Sequence, residues 1–268
     1  MSSASSAGNE LRFTQRPLRT VRAAVLCGGV GKRLRPLTYY FQKAMIPVGK
    51  RQKPLLEYVI ALLRRHGLRD VVLLVGYKAE QIRNYFEDGS RFGVRLTYVH
   101  DDPQYRGTAG ALYNAYARGH LRADHVLVYY GDILSNVNLS ELLDYHIINH
   151  SAATLALSRG YRVRVGVAHL DADGRVTKFE EKPQLELPVS IGVLVLSARS
   201  FRYLEEVVAE HESPDVMSHL IPLMIERGER VMGYVTDAFW YDVGSIERYE
   251  KLEEMADALE EVLVSILS

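Results

Sequence analysis

Short apolar runs that alternate with helical patterns over the first 130 residues constrain the fold of this chain more than any other feature. Val21–Cys27 (VRAAVLC) ends at two glycines, and its length predicts a buried parallel strand rather than a helix. This alternation is typical of βαβ units and predicts an α/β fold with a Rossmann-like, doubly wound, mostly parallel sheet. The further predicted strands are Asp70–Val75, 94–99 and His125–Tyr130, and the predicted helices are 54–66, Ala79–Phe86 and 109–117.

After residue 151 the pattern changes to strands separated by short turns, so we expect this half to be mixed or antiparallel and to face a substrate. The turn at residues 171–174 (DADG) predicts a hairpin. A long amphipathic helix is predicted at 247–267. No repeat or linker divides the chain, which predicts one domain at 21–268 after a disordered tail at 1–20. The predicted strands of this half are 152–158, 164–170, 175–180 and 190–197.

Charge and cysteine content exclude several classes of protein. The 268 residues include 33 Lys+Arg and 33 Asp+Glu, so no overall basic field favours nucleic acid or an anionic membrane. The one cysteine, Cys27, excludes a disulfide within the chain and is typical of a reducing compartment. No apolar run approaches the ~18 residues of a membrane span. We therefore expect a cytoplasmic protein that builds any phosphate site locally.

The glycine-rich loop at residues 28–31 (GGVG) follows the first strand and is followed by Lys32, Arg33 and Arg35. Glycines at such a place let backbone amides approach an anion closely, which predicts a phosphate site. Neither the dinucleotide fingerprint nor the Walker A pattern fits, because their required glycines are missing. On the loop alone, a tight turn with solvated cations stays open as the alternative.

Further polar residues stand where ligands bind in α/β folds. Asp132 directly follows the strand His125–Tyr130, and an aspartate there can hold a divalent cation or simply open a turn. Lys43, within an apolar segment, can meet the same phosphates or be an ordinary surface lysine. Residues 107–111 (GTAGA) start a helix whose amides are free. Glu181 and Lys182 can bind a sugar phosphate or be solvated charges.

Taken in order, these segments resemble the sugar-1-phosphate nucleotidyltransferases. The resemblance rests on GGVGKRLRPLT at 28–38, QKAMIPV at 42–48, and then the GTAGA, Gly-Asp, Glu-Lys-Pro and Trp-Tyr-Asp-Val-Gly-Ser segments, and it spans residues 21–249. The chain departs from the family at Lys32, where Thr is common, and at Phe41 and Ala44, where Pro often brackets the lysine. Those changes affect the stiffness of the loop more than its charge.

The resemblance implies a GT-A-like nucleotidyltransferase fold and a Mg²⁺-dependent reaction. A nucleoside monophosphate passes from a nucleoside triphosphate to a hexose 1-phosphate, giving a nucleotide sugar and pyrophosphate. Ser190 stands where the family commonly has Asn. The implied catalytic residues are Arg33, Lys43, Asp132 and Asp242, of which Asp132 and Asp242 hold the metal. The implied nucleotide-binding residues are Gly28, Gly29, Gly31, Asp102, Gly107 and Thr108. The implied sugar-phosphate-binding residues are Gly166, Glu181, Lys182, Ser190 and Gly192.

The nucleobase depends on Asp102, which stands five residues before Gly107, where family members that use uridine or thymidine nucleotides commonly have Gln. A carboxylate accepts hydrogen bonds from the N1–H and N2–H₂ edge of guanine but meets repulsion from the carbonyls of uracil. Residues 105–109 (YRGTA) instead resemble the ADP-glucose branch. We predict GTP and mannose 1-phosphate, with glucose-1-phosphate uridylyl, thymidylyl or adenylyl transfer as the alternatives.

Three other functions compete with this prediction. A metal-dependent glycosyltransferase prefers Asp-x-Asp after a strand, but residues 171–173 are a predicted hairpin turn. A cytidylyltransferase for a polyol or choline phosphate would share the glycine loop. A non-catalytic nucleotide-sugar sensor would typically lose the metal aspartates or the phosphate lysines, which this chain keeps. No hexapeptide repeats follow Gly244, so we expect no left-handed β-helix. The expected partners are the two substrates, with neither nucleic acid nor membrane, and a homo-oligomer stays open.

Overall fold

The computed structural model describes residues 20–161, 163, 165–184 and 187–267. The predicted tail therefore lies outside the described residues except for Thr20. The strands are β1 Val21–Cys27, β2 Pro47–Val48, β3 Lys53–Pro54, β4 Asp70–Val75, β5 Arg95–His100, β6 His125–Tyr130, β7 Ile133–Ser135, β8 Ala153–Ser158, β9 Val167–Leu170, β10 Val176–Glu180, β11 Val189–Ser197, β12 Val231–Thr236 and β13 Trp240–Asp242. The α-helices are α1 Leu37–Tyr40, α2 Leu55–Arg65, α3 Ala79–Phe86, α4 Gly107–Ala117, α5 Leu139–Ile148, α6 Phe201–Glu210, α7 Ile221–Glu226, α8 Ile246–Glu254 and α9 Ala256–Leu267.

A seven-stranded sheet in the order β12-β8-β11-β6-β1-β4-β5 forms the centre of the molecule. Its strand pairs are parallel except where β11 meets β6 and β8. The chain leaves β1, builds β4 and β5 on one side, and returns to place β6 on the other side of β1. The order of the strands thus reverses between β1 and β6. In open α/β sheets such a switch point opens a crevice at the carboxyl ends of the strands.

Helices cover both faces of this sheet, which is why the strands are apolar throughout rather than alternating. In β1, the side chains of Ala23 and Val25 join one buried cluster with α2, α3, α5 and α9. The intervening Ala24 joins a second cluster with α4, α6 and α7 on the opposite face. The bounds of β1, β4, β6 and α3 are those predicted from the sequence. α2, α4 and β5 agree to within two residues.

The second half of the chain is mixed, as expected. β8 and β12 extend the main sheet in the parallel sense, and β11 is the antiparallel strand among them. β9 and β10 form an antiparallel hairpin outside the main sheet. The predicted turn joins them, and there the Asp171 carboxylate accepts hydrogen bonds from the amides of Asp173 and Arg175. The sequence did not indicate β12, because Gly233 interrupts its apolar run.

The predicted helix at 247–267 is wrong as one element, because the chain bends at Met255 into α8 and α9. Nothing in the local sequence breaks the helix, so the bend follows from packing. Leu263 and Ile266 of α9 are buried in the cluster that contains α2, and Arg64 and Arg65 of α2 donate hydrogen bonds to the carbonyls of Leu267 and Ser265. Through the described ranges, every helix is too short or too polar to cross a membrane.

Candidate active site

A cavity of about 670 Å³ opens at the carboxyl ends of the strands, at the switch point between β1 and β6. It contains most of the residues that the sequence assigned to nucleotide and metal. The glycine loop forms one wall, and the start of α4 forms another. The predicted residues that line it are Gly28, Gly29, Gly31, Arg33, Lys43, Asp102, Gly107, Thr108 and Asp132.

The glycine loop turns sharply after β1 and enters a short 3₁₀ helix at Lys32–Leu34. Gly31 has a φ of 65°, and a Cβ there would stand 2.9 Å from Thr38 Cγ2, so the turn requires glycine. Thr38 Oγ1 donates a 3.0 Å hydrogen bond to the Gly31 carbonyl, which fixes the bend. Arg33 lines the mouth of the cavity in an exposed position. Its guanidinium makes no ion pair within the described chain and is therefore available to an anion.

Lys43 reaches the centre of the cavity because Gln42 anchors its backbone. The Gln42 side chain is buried, donates to the carbonyl of Cys27 at 2.6 Å, and accepts from the amide of Ala44 at 2.5 Å. The end of β1 and the turn that carries Lys43 are thus fastened together. The Lys43 side chain is only 15% exposed, and its ammonium forms an ion pair with Asp132. This lysine is held in place rather than solvated.

Asp132 and Asp242 come together through pairing of β7 with β13. Asp132 immediately precedes β7, and Asp242 stands opposite Ile133 in the antiparallel register. The amide of Val243 also donates to the carbonyl of Asp132 at 3.0 Å. The Asp242 carboxylate packs against Gly244, which lines the cavity, and forms an ion pair with Arg248 of α8. The hydroxyl of Ser245 caps α8, accepting from the Arg248 amide.

Asp132 and Asp242 can be compared with the ligands that the expected Mg²⁺ requires. In the portion of the chain that the structure describes, no group of three or more His, Cys, Asp or Glu side chains gathers to hold a metal. Mg²⁺ is usually bound by one or two carboxylates, with water and substrate phosphates completing its shell. Asp132 and Asp242 fit that requirement. Asp132 forms an ion pair with Lys43, and Asp242 forms one with Arg248.

The start of α4 is fixed by a turn that the sequence did not indicate. The Thr108 hydroxyl donates to Asp215 at 2.7 Å and accepts from the amide of Val216 at 2.9 Å. The sequence predicted free amides at the start of α4. In the structure the Ala109 amide instead donates a hydrogen bond to the carbonyl of Pro214. Burial alone would raise the pKa of Asp215. Hydrogen bonds from Thr108 and from the Ser218 and Met217 amides outweigh burial and hold that pKa below its ordinary value.

Two neighbouring aspartates follow β5, and the sequence singled out only the second. Asp102 lines the cavity, but its carboxylate accepts from the Gln104 amide at 3.0 Å and from Arg118 at 3.3 Å. Asp101 also lines the cavity, and burial raises the pKa of its carboxyl, with a smaller opposing effect of His100. The signal that could have found Asp101 is its place as the first residue after a parallel strand.

The predicted sugar-phosphate residues fall into two groups, and neither lines the cavity. Gly166, Glu181 and Lys182 lie together at one end of the β9–β10 hairpin. A Cβ on Gly166 would stand 3.0 Å from Glu181 Oε2, and the Lys182 ammonium is 3.8 Å from a Glu181 oxygen. Ser190 and Gly192 lie in β11 where its register shifts, and a Cβ on Gly192 would stand 2.9 Å from a side-chain carbon of Ile133. Gly192 therefore lies beside Ile133, the residue that follows Asp132, whereas Glu181 and Lys182 are exposed.

Comparisons with known proteins show which family the chain resembles. Residues 22–258 match the family model described as nucleotidyl transferase. A mannose-1-phosphate guanylyltransferase from Mycobacterium tuberculosis is 32% identical over 234 residues, which cover 85% of this chain and 62% of that protein. A valienol-1-phosphate guanylyltransferase from Streptomyces hygroscopicus subsp. limoneus is 29% identical over 263 residues, covering 86% and 70%. This chain therefore spans roughly two thirds of the length of these relatives.

The fold has a solved counterpart. A Bacillus anthracis protein described as a glucose-1-phosphate thymidylyltransferase superposes with a TM-score of 0.70 at 22% identity, covering 88% of this chain and 95% of that one. At that identity the likeness concerns the fold alone. Together with the mostly parallel sheet and its helical layers, it confirms the α/β fold class predicted from the sequence.

Proposed function

This chain belongs to the nucleotidyl transferase family, and from that premise we propose that it transfers a nucleoside monophosphate from a nucleoside triphosphate to a hexose 1-phosphate. The products are a nucleotide sugar and pyrophosphate. The observation that carries the proposal is the convergence of the glycine loop, Lys43 and Asp132 at one cavity, with Asp242 on the neighbouring strand. Such a site offers amides, a fixed cation and carboxylates within one crevice.

The proposed chemistry is one in-line displacement. An oxygen of the sugar phosphate bonds to the α-phosphorus, and the bond from the α-phosphorus to the oxygen that bridges it to the β-phosphorus breaks, so that pyrophosphate leaves. Arg33 and the amides of residues 28–31 bind the departing β- and γ-phosphates. Lys43 stabilises negative charge near the α-phosphorus, since it is fixed there before substrate binds. The nucleophile is already an anion, so no general base is needed.

The remaining residues position the second substrate. Gly166, Glu181, Lys182, Ser190 and Gly192 bind the sugar phosphate in this proposal, with Lys182 neutralising the phosphate and Glu181 accepting from sugar hydroxyls. Asp132 and Asp242 would hold Mg²⁺, which when bound supplies charge neutralisation at the phosphates. Lys182 and Glu181 are exposed and lie outside the lining of the cavity.

For the specific substrates we propose GTP and mannose 1-phosphate. Two carboxylates, Asp101 and Asp102, stand at the end of β5 in the cavity, and a carboxylate suits the donor edge of guanine better than the carbonyls of uracil or thymine. Relatives of this chain are named guanylyl-, uridylyl- and adenylyltransferases, so the choice of GTP rests on the two carboxylates. Uridylyl, thymidylyl or adenylyl transfer to glucose 1-phosphate is the alternative.

The test is pyrophosphate release with Mg²⁺ for each nucleoside triphosphate combined with mannose or glucose 1-phosphate. We expect release that needs both substrates, is highest with GTP and mannose 1-phosphate, and yields the matching nucleotide sugar by mass. Release without the sugar phosphate would indicate hydrolysis instead. Tight binding of a nucleotide sugar with no release for any pair would favour a sensor and contradict the proposal.

A further inference from the structure

We propose that Asp101, rather than Asp102, selects the nucleobase, by accepting hydrogen bonds from the N1–H and N2–H₂ groups of guanine. This inference rests on the proposed function, because it assumes that the cavity at the strand ends holds the nucleotide. It assigns a specificity-determining role to a residue outside the segments that identify the family.

The position of Asp101 follows from three strands that end side by side. β1, β4 and β5 are neighbours in the sheet. The first residue after β1 is Gly28, the first after β4 is Gly76, and the first after β5 is Asp101. The Asp101 amide donates to the carbonyl of Val75 at 2.7 Å, which keeps the residue in line with the sheet. Its carboxylate then lies across both glycines, so that a Cβ on either one would overlap with Oδ2. The two glycines thus clear the space that this carboxylate occupies.

The Asp101 carboxylate has no hydrogen bond or ion pair with any residue in the described ranges. Asp102 differs, because Arg118 and the Gln104 amide occupy its two oxygens. Asp132 and Asp242 are likewise paired with Lys43 and Arg248. Among these four cavity-edge carboxylates, Asp101 alone is aimed at the cavity with its acceptors unused. A ligand that covers it must therefore bring donors, since a desolvated carboxylate without them is costly.

The chemistry of the bases decides which ligand suits such a group. An ionised carboxylate only accepts, and guanine presents two adjacent donors that can bind both of its oxygens. Uracil and thymine present one N–H between two carbonyls, and adenine and cytosine place an acceptor beside their amino group. Guanine is therefore the base that leaves no repulsive contact with Asp101. The ribose hydroxyls are also donors, and the experiment below separates them from the base.

The experiment is calorimetric binding of GTP, inosine triphosphate, 2′-deoxy-GTP and UTP to the full chain and to three variants. Inosine lacks only the N2 amino group, so its comparison with GTP isolates one of the two donors. We expect the wild-type chain to bind GTP about tenfold more tightly than inosine triphosphate and more tightly still than UTP. In Asp101→Asn, affinity for GTP falls about tenfold or more, and the difference between GTP and inosine triphosphate disappears.

Two comparison variants keep the assignment specific. Asp102→Asn weakens the contact with Arg118 and lowers affinity for GTP and inosine triphosphate by the same factor, so their ratio stays as in the wild type. Asp173→Asn, in the exposed hairpin turn, changes neither value. Thermal unfolding of each variant shows whether the fold is retained. The wild-type comparison of the four nucleotides needs no variant and stands even if Asp101→Asn fails to fold.

Three results would overturn the inference. The wild-type chain could bind UTP or inosine triphosphate as tightly as GTP. Asp101→Asn could weaken the binding of GTP, inosine triphosphate and UTP by the same factor and leave the already weak binding of 2′-deoxy-GTP unchanged, which would place the carboxylate on the ribose. Asp102→Asn, rather than Asp101→Asn, could remove the difference in affinity between GTP and inosine triphosphate. Pyrophosphate release is measured separately, so a chain that selects guanine but releases no pyrophosphate would contradict the proposed function and leave the assignment of Asp101 intact.

Discussion

The strand-end cavity and the β9–β10 hairpin carry the two halves of the proposed substrate site, and they are built differently. In the cavity, the Lys43 side chain is 15% exposed and is fixed through Gln42 and Asp132. On the hairpin, Lys182 is 64% exposed, and its described contact is with the equally exposed Glu181. The first half is organised by the protein before any ligand binds. In the second half, the charged side chains are exposed and are not fixed by buried partners.

The largest effect is expected for Asp132→Asn, because this change removes charge at the most ordered point of the cavity. We expect kcat to fall about 10²–10³-fold, since a preorganised electrostatic group acts at the reacting phosphate. The measurement is steady-state pyrophosphate release.

Asp173→Asn on the exposed hairpin is the matched control and should keep kcat within about twofold. Near-normal turnover in Asp132→Asn, with the fold retained, would contradict the assignment of this carboxylate to the reaction.

Gln42→Leu tests whether the fixed position of Lys43 depends on buried hydrogen bonds. The change leaves the Cys27 carbonyl and the Ala44 amide without their partner. We expect unfolding free energy to drop by about 1–3 kcal/mol and kcat to fall roughly tenfold. Urea unfolding and turnover provide the two readouts. Gln104→Leu, at an exposed position, serves as the control. If the stability of Gln42→Leu is unchanged, Lys43 is fixed by other contacts.

Lys182→Gln tests the other side of the comparison. Because this side chain is exposed and stabilises nothing in the fold, its loss should raise KM for the sugar phosphate about tenfold without changing the melting temperature. The matched change is Lys178→Gln on the same hairpin, where the ammonium pairs with Glu180 at 2.8 Å. An equal rise in KM for both variants would indicate a general charge effect rather than a contact made by Lys182.

The smallest effect is expected for Asp215→Ala, which removes the carboxylate that accepts a hydrogen bond from the Thr108 hydroxyl. The pKa of Asp215 is held below its ordinary value in the folded chain. Its stabilising contribution is therefore complete above the unfolded pKa and is lost as pH falls through the folded pKa. We expect a loss of about 0.5–2 kcal/mol at neutral pH, typical of a lost helix cap.

That difference from the wild type should vanish at acidic pH, below the folded pKa of Asp215. Denaturant unfolding at a series of pH values measures it, with Asp173→Ala as a control that shows no such dependence. A difference that persists in strong acid would mean that Asp215 stabilises the turn by packing and not through its charge.

The sequence predicted those parts of the molecule that depend on local pattern. β1, β4, β6 and α3 are continuous apolar or amphipathic segments with clear ends, so their bounds agree with the structure. The sequence assigned Lys43 and Asp132 to one phosphate and metal site, but it did not predict the ion pair that their side chains form. The division of the closing helix at Met255 did not, since it depends on how α9 packs against α2 rather than on any residue at the bend.

Long-range contacts account for what else the sequence missed at the site. Asp215 supports Thr108 from 107 residues away, and no local pattern marks that pair. Asp101 and Asp102 are adjacent, and only the structure distinguishes the engaged carboxylate from the unengaged one. For Lys182 the sequence left both a sugar-phosphate contact and a solvated charge open, and in the structure this side chain is exposed.

An α-phosphorus label in the nucleoside triphosphate, followed in the presence of mannose 1-phosphate and Mg²⁺, tests the proposed transfer. We expect the label to move into the nucleotide sugar in step with pyrophosphate release, and both to stop in Asp132→Asn while the fold persists. Label that appears as free nucleoside monophosphate, or that stays in the triphosphate for every sugar phosphate and nucleotide tried, would contradict the proposed transfer.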